Sequence, residues 1–273
     1  MRAVTFVDEI ASRAAGAAVW PRSSRTRLAA TILGLAALMC AAPASAVTLD
    51  NGVVLITQAD ALAGGVTPGD AAGFPITLSV PGSYRFASNL QVSTFVDGIS
   101  VAAPEVTIDM AGFRMAGGGV AKSAIVGVNQ RALTVKNGAI RGFTANAIVA
   151  GSNMTVDRMR VADNPVPSNN ISNIYGDDNL IVRKSVIARN GSSNAINCFN
   201  YCRVEYNIIV GTGAFIGGVN PQGIAAIILG NTISNYNIPL ISNNALTVGD
   251  NTFVGNINGS QATLLPLDPN QPP

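Results

Sequence analysis

"VTIDMAGFRMAGGG", residues 106–119, reads as a strand that ends in a glycine-rich turn. Val106 and Ile108 fall on one side and Thr107 and Asp109 on the other, because successive side chains of a strand point to opposite faces. A lone acid on a strand surface carries no message by itself, so its meaning has to come from the segments that follow. With Ile108 as an anchor, Val135, Val156, Val182, Val204, Ile228 and Val248 recur at spacings of 27, 21, 26, 22, 24 and 20 residues. Two positions earlier stand Val106, Leu133, Met154, Leu180, Cys202, Ala226 and Leu246, all apolar. Five positions later stand Phe113, Ile140, Val161, Ile187, Ile209, Ile233 and Phe253, again all apolar.

A repeat of this length, with two or three short strands in each copy, describes a solenoid whose rungs stack in parallel to bury their inward side chains. Leucine-rich repeats share the period but need a regular leucine framework, which is missing. Helical repeats need 3.6-residue periodicity and few glycines, and this chain has 28 glycines. The anchors predict about seven rungs over 96–260, after an N-terminal cap at 47–95 in which "TQADALAGG" forms a short helix and "VPGSYRF" turns into a strand. A disordered proline-rich tail is expected over 261–273.

One position after each anchor the charges alternate: Asp109, Lys136, Asp157, Arg183, Glu205. Parallel strands lie ~4.8 Å apart, so each of these charges has an opposite one above and below it. The pattern predicts an exterior ion-pair ladder that selects register more than it adds stability, and Asp109 is there to meet Lys136. Asn207, Asn231 and Asn251, with Ser185 above them, form a column three after the anchor; Asn164, Asn190 and Asn256 form another eight after it. Asparagine accepts left-handed backbone and bonds to nearby amides, so both columns are read as turn residues that can also reach the next rung. One position before the anchors, Thr107, Thr134, Thr155, Ile181, Arg203, Ile227 and Thr247 make an outward column. Ice binding would need a second threonine column, and the charged ladder stands in its place.

Residues 1–46 have the build of a secretory signal: arginines at 22, 25 and 27, an apolar run from Leu28 to Ala42, and Ala44-Ser45-Ala46 as the cleavage site. Export to the periplasm or medium is expected, with no membrane span in the mature chain. The signal carries five basic and two acidic residues, leaving 12 basic and 13 acidic beyond it. That balance gives no reason to expect nucleic acid as a partner. There is no histidine, which excludes any mechanism that needs an imidazole. Cys198 and Cys202 either pair in an oxidising compartment or leave Cys202 as a plain core residue.

"GFPITLSVPGSYRFASNLQV", "VTIDMAGFRMAGGG" and "LTVKNGAIRGF" resemble secreted bacterial right-handed parallel β-helix repeat proteins of the pectate-lyase-like superfamily. The resemblance covers about residues 50–260 and rests on turn and core residues. It implies an all-β, right-handed parallel β-helix and says little about activity, since members include polysaccharide lyases, hydrolases, epimerases and many proteins without a known activity.

Every strong motif is explained by folding, so a carbohydrate-binding or cell-surface structural module is the first expectation. The alternative is a lyase acting on uronic-acid polymers. It needs a base and a cation for the uronate carboxylate, and Lys184 and Arg158, stacked as like charges two after their anchors, are the candidates. Lys136, Arg158, Lys184 and Arg203 together are the candidate ligand contacts. A hydrolase carboxylate pair is not supported by Gly176-Asp177-Asp178, because adjacent aspartates on an extended chain diverge. Asp177 and Asp178 remain a weak candidate for Ca2+, the sole cofactor considered.

Overall fold

The structure, a computed structural model, describes residues 49–165, 172–188, 191, 194–212, 217–256 and 261–266. The segment 1–46 expected to be an export signal, Asn190 and residues 267–273 lie outside the described residues. The described residues form a parallel β-solenoid whose rungs carry strands on three faces. On the first face the anchors stack in the expected order, Ile108 on Val135, then Val156, Val182, Val204, Ile228 and Val248. The stack also runs past both expected ends. Val54 pairs with Tyr84 and Tyr84 with Ile108, while Pro266 follows Val248.

Two boundaries therefore change. Val53–Ile56, Ile76–Leu78 and Gly82–Phe86 belong to the coil, so 47–95 is not a separate cap. What caps is the short helix Gln58–Ala63, started by Thr57 and Asp60 in a reciprocal capping box. At the other end Gln261–Pro266 is a strand stacked on Ile238–Gly249, so these residues are not part of a disordered tail.

The rungs turn at left-handed residues in fixed columns. Two after the anchor stand Asn137, Arg158, Lys184, Tyr206, Gly230 and Asp250, with φ from 51° to 60°. Three before it stand Glu105, Ala132, Asn153, Asn179, Tyr201 and Ala225, with φ from 56° to 61°. The asparagine column three after the anchor is therefore not the left-handed one; it lies one residue further on and does different work. Asn231 Oδ1 accepts from the backbone and side-chain amides of Asn207, and its Nδ2 donates to the Val204 carbonyl and to Asn251 Oδ1. Asn207 treats Ser185 and Val182 in the same way. Ser185 Oγ accepts from the Met159 amide. Each asparagine side chain thus satisfies the corner amide of the preceding rung and also donates to the asparagine of the next, so the column bridges rungs in both directions. In the second column Asn164 accepts from the Phe143 amide and Asn256 from the Tyr236 amide. At Gly138, in the first column, a Cβ would collide with that of Met110.

The inward columns at the anchor and two before it are buried from Val106 through Ile228. The column five after needs one correction: Ile140 stacks on Met115, which is fully buried, and not on Phe113. Ala111 and Gly112 make a turn two residues longer than in later rungs, which displaces Phe113 to a half-buried position. Phe253 does stack on Ile233, yet it is 41% exposed. The third face contributes a column that the anchors did not reveal: Ile76, Ile99, Ile125, Ile148, Ile174, Ile196, Val219, Leu240. Cys198 closes a strand of that face, Cys202 sits in the column two before the anchor, and a disulfide joins these buried residues. Pairing and core filling are thus compatible.

Tyr236 is buried and its hydroxyl has no hydrogen-bond partner among the described residues. Burial holds its phenol above the ordinary value of 10.0. Because the folded-state value is raised, the neutral ring's contribution is complete below pH ~10 and is lost as pH rises through that range. Tyr236→Phe removes an unsatisfied polar atom, so urea melts should show a gain of about 0.5–1 kcal/mol near neutrality. The gain should widen above pH ~10, where only the wild type has a phenol at position 236 to ionise in the unfolded chain.

Candidate functional site

The outward side of the first face carries the charges. Backbone register places Asp109, Lys136, Asp157, Arg183 and Glu205 in one column, with Arg85 above Asp109. Lys136 Nζ lies 3.8 Å from Asp109 Oδ2, and Arg183 Nε lies 3.3 Å from Asp157 Oδ1. The ladder is not wholly exterior: Asp157 is only 5% exposed, under the stems of the arginines that neutralise it. Glu205 is held on its own strand by Arg203, whose Nη2 is 2.6 Å away.

The candidate ligand contacts are mostly spoken for. Lys136 serves Asp109 and Arg203 serves Glu205. Arg158 reaches Asp157 at 3.0 Å and donates through Nε to Asn137 Oδ1, which links it to Asp109 through the Asn137 amide. The like-charge stack of Arg158 over Lys184 is therefore compensated at its upper member. Lys184 is exposed, and it has no ion pair among the described residues. Both sit at left-handed corners on the edge of the face.

Asp177 and Asp178 point to separate tasks. Asp178 Oδ1 accepts from the backbone and side chain of Asn200 on the next rung. Tyr175 is held above its ordinary value by burial, then by the Asp177 charge and the hydrogen bond to that carboxylate. Among the described residues no group of three or more acids and cysteines gathers as a metal site, and no helix is long and apolar enough to cross a membrane.

Two surface features lie outside all the candidates. On the second face Arg114, Arg141 and Arg160 occupy three successive rungs and are exposed, without an ion pair among the described residues. The two-residue insertion after Met110 hid this alignment, since Arg114 stands six after its anchor and Arg160 four after its own. Beyond the second face, the turns of three rungs form a groove of about 730 Å3. It is lined by Phe95, Val120, Lys122 and Thr144, with Asp97 and Ser123 at its side. Phe95 is 69% exposed, and Lys122 Nζ lies 5.0 Å from its ring centroid. Asp97 Oδ1 accepts from the Ser123 amide, which stiffens the wall.

No protein-family model matches the chain, and comparison with curated proteins and with solved structures gives no match either.

Proposed function

We propose that this protein is an exported, non-catalytic carbohydrate-binding solenoid that holds a saccharide in the groove at Phe95. The exposed ring beside Lys122, Asp97, Ser123 and Thr144 carries this reading. A pyranose has an apolar C–H face and a rim of hydroxyls. A groove with one aromatic platform and a few fixed polar groups complements both. A rigid coil holds these groups in place before the sugar arrives, which reduces the ordering cost of binding. Calorimetry against a panel of oligosaccharides should find a ligand whose affinity falls roughly tenfold or more in Phe95→Ala, the loss of about 1.4 kcal/mol of ring contact. A panel without a ligand, or binding indifferent to Phe95→Ala, contradicts the reading.

The lyase alternative rests on Lys184, the one candidate cation without an ion pair among the described residues. Incubation with alginate, pectate and glycosaminoglycans separates the two. Ultraviolet absorbance of an unsaturated uronate, abolished in Lys184→Met, would make the protein a lyase; its absence on all three polymers supports a binding role. Export is tested by mass spectrometry of the secreted chain, which should begin at Val47.

A further inference from the structure

We infer that Arg114, Arg141 and Arg160 form a second binding site, one that takes an extended anionic glycan bearing carboxylate or sulfate groups. The inference rests on the carbohydrate-binding reading and adds to it the charge class of the ligand and a different location. Its ground is a contrast between two faces of the same coil. On the first face basic side chains stand in register with acids, and Asp109, Asp157 and Glu205 each have a basic partner within 4 Å. On the second face the arginines alternate with alanines. Arg114 pairs with Ala139 and Ala139 with Arg160, while Ala116 pairs with Arg141 and Arg141 with Ala162.

Nothing in the folding of the coil calls for this arrangement. Like charges on neighbouring strands repel, and here no acid in register compensates them. The short alanine side chains leave a depression of about 330 Å3 between the arginines. Asp163 at its rim already has an interaction partner, so three guanidiniums face a single carboxylate there. Planar guanidinium forks match carboxylate and sulfate oxygens in pairs. With rungs ~4.8 Å apart, the backbones of Arg114 and Arg160 are roughly 9.6 Å apart, and Arg141 lies on the rung between them. Cations spread in this way suit a chain of repeated anionic groups better than one small anion. Nucleic acid fits less well, because no aromatic side chain lines the depression to stack on a base. The chain beyond the leader also has no basic excess, with 12 basic against 13 acidic residues.

The test uses the whole secreted protein in affinity electrophoresis and calorimetry against polygalacturonate, alginate, chondroitin sulfate, neutral dextran and a single-stranded oligonucleotide. At least one anionic glycan should bind, more weakly as salt is raised. Arg141→Gln should weaken it roughly tenfold, about the loss of one charge-assisted contact. The triple glutamine variant should abolish binding, and Arg131→Gln, at an exposed arginine outside the depression, should leave it unchanged. These side chains are exposed, and circular dichroism will show that the variants keep their strands. Anionic glycans bound no better than dextran, or bound equally by the triple variant, would overturn the inference. Equal binding of the oligonucleotide through the same arginines would also overturn it, by making the site a general polyanion surface. Retention of a neutral sugar through Phe95 alone would remove the arginine site and leave the carbohydrate reading standing; a protein that binds no glycan loses both.

Discussion

Asn231→Ala is expected to destabilise the coil by about 2–4 kcal/mol, the largest effect of any polar change proposed for this protein. Asn231 is 1% exposed and its side chain takes part in four cross-rung hydrogen bonds. Truncation leaves the Asn207 amide buried with no partner, which costs about 1–3 kcal/mol, and takes a side-chain donor from the Val204 carbonyl. Asn207 Nδ2 and Asn251 Oδ1 also lose a contact. Asn231→Asp should be no better, since a carboxylate keeps the acceptor but turns oxygen toward the Val204 carbonyl and Asn251 Oδ1. Asn251→Ala, nearer the end of the column and only half-buried, should cost less, about 1–2 kcal/mol. Urea melts of the three variants check the order. An Asn231→Ala variant within 1 kcal/mol of wild type would mean that the asparagines do not bridge rungs.

Lys136→Asp is the second large change. It places an acid in register between Asp109 and Asp157, so three consecutive rungs carry the same sign. Asp109 and Lys136 are both about a third exposed, and water screens that part of the repulsion. Asp157 is buried and is screened less. The expected loss is about 2 kcal/mol, partly recovered at high salt. Lys136→Met removes attraction without adding repulsion and keeps the packing of the stem, so it should cost well under 1 kcal/mol. If the aspartate variant is as stable as the methionine one, or gains nothing from salt, Asp109 and Lys136 are not neighbours in solution.

What could be read in the sequence was what stays at a fixed offset from the anchor. The columns at two before, zero and one after belong to a single short strand, so no insertion can separate them, and they carried the fold and the ladder register. Beyond a corner the offset drifts. Ile99 stands nine residues before Ile108, Ile125 ten before Val135 and Ile148 eight before Val156, so the isoleucine column of the third face is blurred in the sequence although it is continuous in space. The same drift hid Arg114 from Arg160, and with them the arginine surface. The left-handed corners were misplaced for another reason. Arg158, Lys184 and Tyr206 adopt positive φ because the coil demands a turn there, and no local preference of these residues announces it. Once placed at corners, Arg158 and Lys184 lose much of their standing as a catalytic pair, for Arg158 is bound to Asp157 and Asn137. The groove at Phe95 has no sequence pattern, because its lining comes from turns of three different rungs.

The stacking itself can be measured directly with spin labels on the outward column one before the anchor. Thr107, Thr134, Thr155, Ile181, Arg203, Ile227 and Thr247 follow one another in register. Cysteine pairs at 107/155, 107/203 and 107/247, introduced in a Cys40→Ser chain with the native disulfide intact, span two, four and six strand spacings. Pulsed dipolar spectroscopy should give distances that grow linearly, with about 9.6 Å between backbones for each two rungs and roughly 29 Å across all six. A 107/247 separation no longer than 107/203, or one off the straight line by more than the reach of the label, would contradict a solenoid with this register.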